Sequence, residues 1–409
     1  MKDKDKNKDK NKKESELMEK IVSLCKRRGF IFQGSEIYGG LAGTWDFGHL
    51  GVALKNNIKQ SWWKKFVESR RDMYGIDAAI LMNPKVWEAS GHVAGFLDPT
   101  PDGKQFNVMF KTQVGAGEEA MVSYLRPETA QGMFVNFKNT VDAHHPKLPF
   151  GMAQIGKAFR NEIAPRDFIF RQREFEQMEI EYFIRPEDWQ KYFEYFKDEM
   201  LEWMESVGID MSKVRELEVG DADRAHYSKR TVDFEFDFPF GKKELFGLAY
   251  RTDFDLGVHK LEYIDEEKGE KMVPHVIEPS FGVERAILAV LLSAYNEVDP
   301  ERPFLKFKPN IAPVICAVSP LLKNKPELVE YAEKVFGTLK TEFGRVAWDD
   351  NGNIGKRYRR QDEIGTPWCI VIDFDTLTDD TVTIRDRDTG EQERIKVSEL
   401  ISYLKEKLN

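Results

Sequence analysis

The chain has 409 residues, a net charge of −9 and a hydrophobic fraction of 41%, which predicts a soluble protein of about two or three domains. Its longest apolar run, residues 286–295, is too short to cross a membrane, and the first residues lack an apolar signal segment. The three widely separated cysteines (Cys25, Cys316 and Cys369) suit neither a disulfide framework nor a CxxC zinc site. We therefore expect a cytoplasmic protein with no membrane contact and no structural zinc. The negative charge alone argues against a general nucleic-acid binder.

The first segment, residues 1–16, is rich in lysine and has no apolar residue after its initial methionine. Because this composition cannot build a core, we predict a disordered tail. Apolar residues at helical spacing begin at Leu17 and stop near Gly29. After a glycine-rich stretch, residues 34–51, apolar spacing around Trp62 predicts a second amphipathic helix.

Two segments in the middle of the chain, residues 175–183 and 231–238, alternate apolar and polar side chains with the period of a β-strand. In the first of them, Glu179 and Glu181 share the polar face. Such alternation favours antiparallel pairing, with one face packed and the other available for chemistry. Between the two strands, Pro186 opens a helix whose aromatic side chains we assign to the core rather than to base stacking.

The pattern changes after a proline-containing stretch, residues 300–313. Beyond it, predicted strands alternate with helices over about a hundred residues, which is typical of a small α/β domain. The sequence therefore predicts a tail (1–16), a larger domain (17–305) and a small α/β domain (306–409).

The densest group of charged residues lies between residues 151 and 183. Guanidinium groups bind phosphate oxygens bidentately, and the neighbouring carboxylates could receive an amine or a metal ion. A surface ladder of salt bridges is the alternative, but here the charges flank strands and interleave with aromatic residues, so we favour a polyphosphate site. The chain has neither a P-loop nor a GxGxxG motif after a strand, which excludes the common nucleotide-binding folds. The charged residues are Arg160, Arg166, Arg171, Arg173, Glu162, Glu174, Glu176, Glu179 and Glu181.

These residues resemble motif 2 of the class II aminoacyl-tRNA synthetases, with its Phe-Arg-x-Glu signature at Phe159, Arg160 and Glu162. The sequence VIEPSFGVER at residues 276–285 resembles motif 3, and SEIY at residues 35–38, with the following glycine-rich loop and helix, resembles motif 1. Three further segments are similar to the glycyl-tRNA synthetase family in its dimeric, eukaryote-like form: residues 83–96, 124–137 and 356–369.

The resemblance implies an α+β catalytic domain, built on an antiparallel sheet flanked by helices, and a small α/β anticodon-binding domain after it. It further implies an enzyme that uses ATP and Mg²⁺ to form glycyl-adenylate and then transfers glycine to tRNA(Gly). Motif 1 implies a homodimer. The anticodon contact would use the basic cluster at residues 356–360, with Tyr358 for stacking; a solvated basic turn is the alternative.

The resemblance also implies the roles of the ATP-binding residues. The two catalytic arginines are Arg160, on the α-phosphate, and Arg285, on the γ-phosphate and one face of the adenine. Phe175 stacks on the other face of the adenine, and Glu162 faces its edge. Glu244 contacts ATP and the metal ion. The remaining expected ATP contacts are Asn161, Phe170, Arg171, Leu245 and Gly282.

The amino-acid site follows from the same resemblance. Glycine has no side chain to grip, so a selective site must bind its two charged ends and fill the space that a Cβ would need. The positions expected to hold the ammonium group and crowd the pocket are Glu128, Glu179, Glu278 and Ser280. Arg251 is the expected clamp for the glycine carboxylate. No histidine is assigned a role.

Two alternatives remain open on the sequence. A synthetase-like protein that has lost its active site could serve as an accessory subunit, and the enzyme could act on another amino acid, as the prolyl, threonyl and histidyl relatives do. Two departures from the family pattern stand out: His49 replaces a proline of motif 1, and residues 97–106 form only a short turn where relatives carry a longer insertion.

Overall fold

A computed structural model describes residues 2–225, 227–265, 268–297 and 302–408, with side chains from residue 14 onward. The helices in this part of the chain are α1 Lys2–Arg28, α2 His49–Trp63, α3 Pro84–Ala89, α4 His92–Gly95, α5 Ala130–Val135, α6 Phe137–His144, α7 Trp189–Ser206, α8 Phe254–Val258, α9 Val283–Ala294, α10 Pro326–Phe343, α11 Ile354–Glu363, α12 Thr376–Asp379 and α13 Leu400–Leu408. Short 3-10 turns lie at Glu36–Tyr38, Gly117–Glu119, Pro186–Asp188, Met211–Lys213 and Val397–Glu399, and one π-helical turn lies at Lys64–Glu68.

The strands are β1 Ile31–Gln33, β2 Trp45–Phe47, β3 Met73–Gly75, β4 Leu97–Pro99, β5 Gln105–Asn107, β6 Lys111–Val114, β7 Met121–Tyr124, β8 Phe150–Phe159, β9 Glu174–Ile184, β10 Val214–Glu218, β11 Arg230–Phe238, β12 Gly241–Thr252, β13 Tyr263–Asp265, β14 Glu270–Met272, β15 His275–Gly282, β16 Tyr295–Asn296, β17 Phe304–Leu305, β18 Cys316–Pro320, β19 Val346–Trp348, β20 Trp368–Ile372, β21 Thr381–Asp386 and β22 Gln392–Lys396.

A seven-stranded sheet, in the order β10-β11-β12-β15-β9-β8-β3, organises the larger domain. All its neighbouring strands are antiparallel except β3, which runs parallel to β8. The two segments with strand periodicity form β9 and β11, so the antiparallel sheet predicted from them is confirmed.

Strand β9 alternates as the sequence predicts, but its polar face is not open. Met178, Ile180 and Tyr182 enter the core, where α7 contributes buried aromatic and methionine side chains. Glu179 and Glu181 on the opposite face are buried as well, because α5 packs against the strand. This half of the sheet therefore encloses its carboxylates.

Helix α1 runs from Lys2, whereas we predicted a disordered segment over residues 1–16. Lysine is a good helix former, and no glycine or proline interrupts the chain before Gly29, so the helix has no local reason to start later. Its last turns dock through Ile21 and Leu24, which are buried in the main core.

The smaller domain is a five-stranded sheet in the order β19-β18-β20-β21-β22, flanked by helices that include α10 and α13. Strand β18 is parallel to both its neighbours, as the strand–helix alternation predicts. Residues 305–314 still contribute to the core of the larger domain, and the second core starts at Ile315. The packing thus divides the chain somewhat later than the predicted boundary at residue 306. None of the described helices has the length and apolar character needed to cross a bilayer.

Candidate active site

The loop between β8 and β9, residues 160–173, places a group of arginines at the end of the central strands. Its base is closed by the backbone N–H of Arg160, which donates to the carbonyl of Arg173 at 2.9 Å. At its tip, Asp167 and Phe168 turn the chain with φ of 61° and 57°. The Phe168 ring packs edge-on against Trp45, with 4.7 Å between ring centroids, so the tip is anchored to the segment before α2.

A cavity of about 150 Å³ lies beneath this loop. Its walls combine cations, aromatic rings and carboxylates, the chemistry that a nucleotide triphosphate requires. Asn161 is not part of the wall; its backbone N–H donates to the carbonyl of Val108 at 2.7 Å. The other residues predicted to bind ATP all line the cavity: Arg160, Glu162, Phe170, Arg171, Phe175, Glu244, Leu245, Gly282 and Arg285.

Two of the arginines are held in place before any ligand binds. The Nε of Arg171 donates to Glu162 at 2.6 Å, and its Nη2 donates to Asp98, on the short β4–β5 hairpin, at 3.0 Å. The guanidinium of Arg160 lies 5.3 Å from the ring centroids of both Phe96 and Phe175. A cation fixed in this way stabilises developing negative charge without reorganising during the reaction.

Arg285 closes the other side of the cavity. Its guanidinium lies 4.5 Å from the ring centroid of Phe170 and 3.1 Å from the carboxylate of Glu244. Glu244 directly precedes a register shift in the β11–β12 pairing, and such a bulge re-aims a side chain. Burial and the neighbouring negative charge of Glu244 raise the pKa of Asp233 to about 7.

A second cavity, of about 250 Å³, adjoins the first and shares Arg160, Gln177, Glu244 and Ser280 with it. Its remaining walls are rich in carboxylates, including Glu179 and Glu278. Glu179 accepts hydrogen bonds from the Thr129 hydroxyl at 2.5 Å and from the Ser280 hydroxyl at 2.8 Å. Burial and the charge of Glu128 raise the pKa of Glu179.

Glu128, in the same wall, has the properties of a cation-binding carboxylate. Its Oε2 lies 3.3 Å from Nε2 of His92, whose Nδ1 is 2.8 Å from the Ser90 hydroxyl. Burial opposes ionisation, yet the proximity of His92, Arg251 and Arg160 lowers the pKa of Glu128 to about 2. Its second oxygen, Oε1, is buried and has no hydrogen-bond partner among the described residues. A small ammonium group would satisfy that oxygen.

Comparisons with known proteins agree with this geometry. Residues 110–295 match the family of tRNA synthetase class II core domains (G, H, P, S and T), and residues 315–407 match the family of anticodon binding domains. The glycine–tRNA ligase of Lachnoclostridium phytofermentans is 46% identical over 459 aligned positions, covering 95% of this chain and 98% of the relative. The glycine–tRNA ligase of Thermus thermophilus is 44% identical and covers 96% of this chain and 99% of itself.

The chain belongs to the glycine–tRNA ligase family. A further relative with this name, from Alkaliphilus oremlandii, is 47% identical over 96% of the chain and 98% of the relative. These three relatives are bacterial, so the eukaryote-like subtype is not confirmed. The fold agrees with the family matches, since the antiparallel sheet falls in the core-domain match and the α/β sheet in the anticodon-domain match.

In this member of the glycine–tRNA ligase family, Arg251, the predicted clamp for the glycine carboxylate, forms ion pairs with Asp255 and Glu278. It is 1% exposed, and its Nε and Nη2 donate to Asp255 at 2.7 and 2.9 Å while its Nη1 donates to Glu278 at 2.6 Å. The Tyr227 ring covers the guanidinium at 3.8 Å. Arg251 therefore fixes Glu278 as a wall of the cavity, and its role toward the glycine carboxylate stays a prediction.

The basic cluster of the anticodon-binding domain is also different from our expectation. Arg357 is 3% exposed and donates to backbone carbonyls, including that of Gly352 at 2.9 Å. Arg360 pairs with Asp349, and Arg385 lies over the Tyr358 ring at 4.7 Å. Arg357, Tyr358 and Arg360 therefore make contacts within the domain and stabilise it. The exposed members are Lys356 and Arg359.

Proposed function

We propose that this glycine–tRNA ligase family member attaches glycine to tRNA(Gly) in two steps. A carboxylate oxygen of glycine attacks the α-phosphorus of ATP, which gives glycyl-adenylate and releases pyrophosphate. The 3′-terminal ribose hydroxyl of the tRNA then takes the glycyl group, and AMP leaves. The observation that carries this proposal is the pair of adjoining cavities, one lined by the cations and aromatic rings that bind a nucleotide triphosphate and one lined by carboxylates that bind an ammonium group, with Arg160 in the wall of both.

Arg160 would bind the α-phosphate, where negative charge increases as pyrophosphate departs. Phe175 and Arg285, which line the same cavity, would take the two faces of the adenine. The nucleophile is the carboxylate of the substrate, which is already ionised, so the protein needs no general base. Positioning of the two substrates therefore supplies much of the rate enhancement.

The carboxylate-lined cavity would bind the ammonium group of glycine. Glu128 offers its unpartnered oxygen, and Glu179 is held in place by Thr129 and Ser280. Glu278 is fixed by Arg251 as a further wall. Because these groups converge on the ammonium, a Cβ at the neighbouring carbon would meet their oxygens instead of water, and larger amino acids would bind less well.

Mg²⁺ fits beside the ATP cavity. Glu244 and the neighbouring Asp233 offer carboxylate oxygens, and Mg²⁺ is commonly held by one or two carboxylates together with substrate phosphates. Within the described ranges, no group of three or more His, Cys, Asp or Glu side chains is arranged to hold a metal by itself. When bound, the ion would neutralise charge on the departing pyrophosphate.

The protein would act as a cytoplasmic homodimer. Ile37 and Tyr38, in the segment that resembles motif 1, are each 87% exposed, and Leu41 beside them is 56% exposed. Contiguous exposed apolar side chains mark interaction surfaces. A second copy would cover them, as motif 1 does in this class of enzymes.

The eukaryote-like subtype remains an expectation from the motifs. The three cysteines are free and buried, as a reducing compartment permits.

The anticodon-binding domain would contact tRNA(Gly) through exposed basic side chains, including Lys356 and Arg359. The alignments to the relatives are longer than this chain, so those enzymes contain residues that it lacks. We expect the missing segment at the short turn between β4 and β5. In this chain, Asp98 on that hairpin accepts a hydrogen bond from Arg171.

Charging of tRNA with radiolabelled amino acids tests the proposal. We expect acid-precipitable label with glycine, ATP and Mg²⁺ together, and none with alanine or serine. Arg215→Lys, on the exposed edge strand β10, is the matched control for Arg160→Lys and should charge normally. Preferential charging with another amino acid would contradict the proposed specificity. Absence of charging and of adenylate formation with every amino acid would favour the accessory-subunit alternative.

A further inference from the structure

A second glutamate lies directly opposite Glu278 in the sheet. In the pairing of β9 with β15, Ile277 faces Tyr182 and Ser280 faces Glu179. The same register sets Glu278 opposite Glu181, with both side chains on one face. Opposed residues on neighbouring antiparallel strands have Cβ atoms about 4.5–5.5 Å apart, and like charges at this spacing repel each other.

Glu181 has no counter-charge of its own. It is fully buried, and no donor in the part of the chain that the structure describes reaches either carboxyl oxygen. The charged groups around it are Glu278 on β15, Glu179 on its own strand, and Arg251 and Asp255 at the end of β12 and in α8. The guanidinium of Arg251 already donates to Asp255 and Glu278.

Burial therefore makes it costly for Glu181 and Glu278 to be ionised at the same time. An ionised carboxylate without a donor is strongly disfavoured in a protein interior, and two neighbouring carboxylates cannot both ionise there at ordinary cost. Glu278 has the hydrogen bond from Arg251 at 2.6 Å, so it is the better place for the negative charge. The proton then belongs on Glu181.

We propose that Glu181 is a positioning residue of the amino-acid site, which stays protonated and donates its proton in a hydrogen bond to Glu278. This bond, together with Arg251, fixes the Glu278 carboxylate as a wall of the cavity. The role rests on the proposed function, because Glu278 matters to the reaction only if the cavity holds the ammonium group of glycine.

Burial raises the pKa of both carboxyl groups, and at Glu278 the positive charge and hydrogen bond of Arg251 oppose the rise. Burial and the charge of Glu278 raise the pKa of Glu181 well above its ordinary value of 4.5. Because the folded protein holds this proton more tightly than the unfolded chain does, the stabilisation is complete below pH 4.5. It is lost as the pH rises towards the higher pKa of the folded state. A glutamine has the same shape and can donate an N–H, but it has no proton to lose in this range.

The experiment compares Glu181→Gln with Glu181→Met, which removes the donor at similar volume. The control is Glu216→Gln, an exposed glutamate on the edge strand β10 of the same sheet. Thermal unfolding is followed from about pH 5 to about pH 9, where linkage to one proton is measurable. The KM for glycine, the KM for ATP and kcat are measured by glycine-dependent exchange of pyrophosphate into ATP.

We expect the Tm of Glu181→Gln to fall less with rising pH than that of the wild type, while Glu216→Gln runs parallel to the wild type. The KM for glycine should change less than about threefold in Glu181→Gln but rise about tenfold or more in Glu181→Met, at an unchanged KM for ATP. Two results would overturn the proposal: a Tm–pH curve of Glu181→Gln parallel to the wild type, or an equal rise of the KM for glycine in both variants. Absence of exchange in the wild type would refute the proposed function instead, and the Tm–pH comparison would still decide the protonation of Glu181.

Discussion

Lys55 on α2, in the segment that resembles motif 1, connects both sides of the cavity proposed to bind ATP, and its replacement by methionine tests that connection. Its ammonium group forms ion pairs with Glu176 and, at 2.9 Å, with Glu284. Glu284 also accepts the backbone N–H of Glu176 at 2.9 Å. Glu176 directly follows Phe175, and Glu284 directly precedes Arg285. The network therefore sets the positions of the two side chains that would hold the adenine.

The size of the effect follows from burial. Lys55 is 8% exposed and both glutamates are buried. Removing one partner of a buried ion pair typically costs about 3–5 kcal/mol, because the remaining charge is left without compensation. Glu176 keeps Lys59 at 2.9 Å, and Glu284 keeps its backbone donor. We therefore expect Lys55→Met to lose about 3 kcal/mol, the lower end of the range.

Urea denaturation followed by tryptophan fluorescence measures this loss in the transition of the larger domain, and pyrophosphate exchange at varied ATP measures the function. We expect the KM for ATP to rise about tenfold, because small misplacements of binding groups reduce activity steeply. The control is Lys138→Met, which removes an exposed pair with Asp142 and should change stability by less than about 1 kcal/mol. Equal stability of the two variants, with a normal KM for ATP, would show that Lys55 does not hold Glu176 and Glu284 in place.

Four further outcomes are expected. Arg160→Lys should lower the exchange rate about 100-fold or more while size-exclusion chromatography shows an unchanged oligomer, and near-normal exchange would refute the α-phosphate role. Glu128→Gln should raise the KM for glycine about tenfold or more without changing the KM for ATP; a uniform loss of both would point to misfolding instead. Tyr38→Asp should yield monomers by light scattering, and an intact dimer would place the interface elsewhere. Replacing Lys356 and Arg359 by alanine should raise the KM for tRNA but leave tRNA-independent exchange unchanged, and a normal KM for tRNA would remove both from the RNA contact.

Local patterns in the sequence predict the main elements of both domains. The alternation around Met178 and Ile180 identifies β9, and the predicted alternation of strands and helices after residue 313 identifies the small α/β domain. These features depend on side chains close in sequence. The burial of the polar face of β9 depends on α5, which comes from a distant segment, so the alternation could not predict it.

The same distinction between contacts that are local in sequence and contacts that are distant applies to the candidate site. The family resemblance located the residues that line the two cavities, and the role that it implies for Arg251 toward the substrate stays a prediction. The i, i+4 spacing of Arg251 and Asp255 is a local signal for their ion pair. His92 had no such signal, because its partner Glu128 is distant in the sequence. The opposition of Glu181 and Glu278 depends on strand register, which no local pattern specifies.

The most direct test of the proposed enzymatic function is the exchange of labelled pyrophosphate into ATP by the purified protein, with each amino acid supplied in turn. We expect exchange that depends on glycine and Mg²⁺, with alanine and serine inactive. Exchange with alanine or serine but not with glycine would contradict the assignment of the carboxylate-lined cavity. Absence of exchange with any amino acid would contradict the enzymatic function itself.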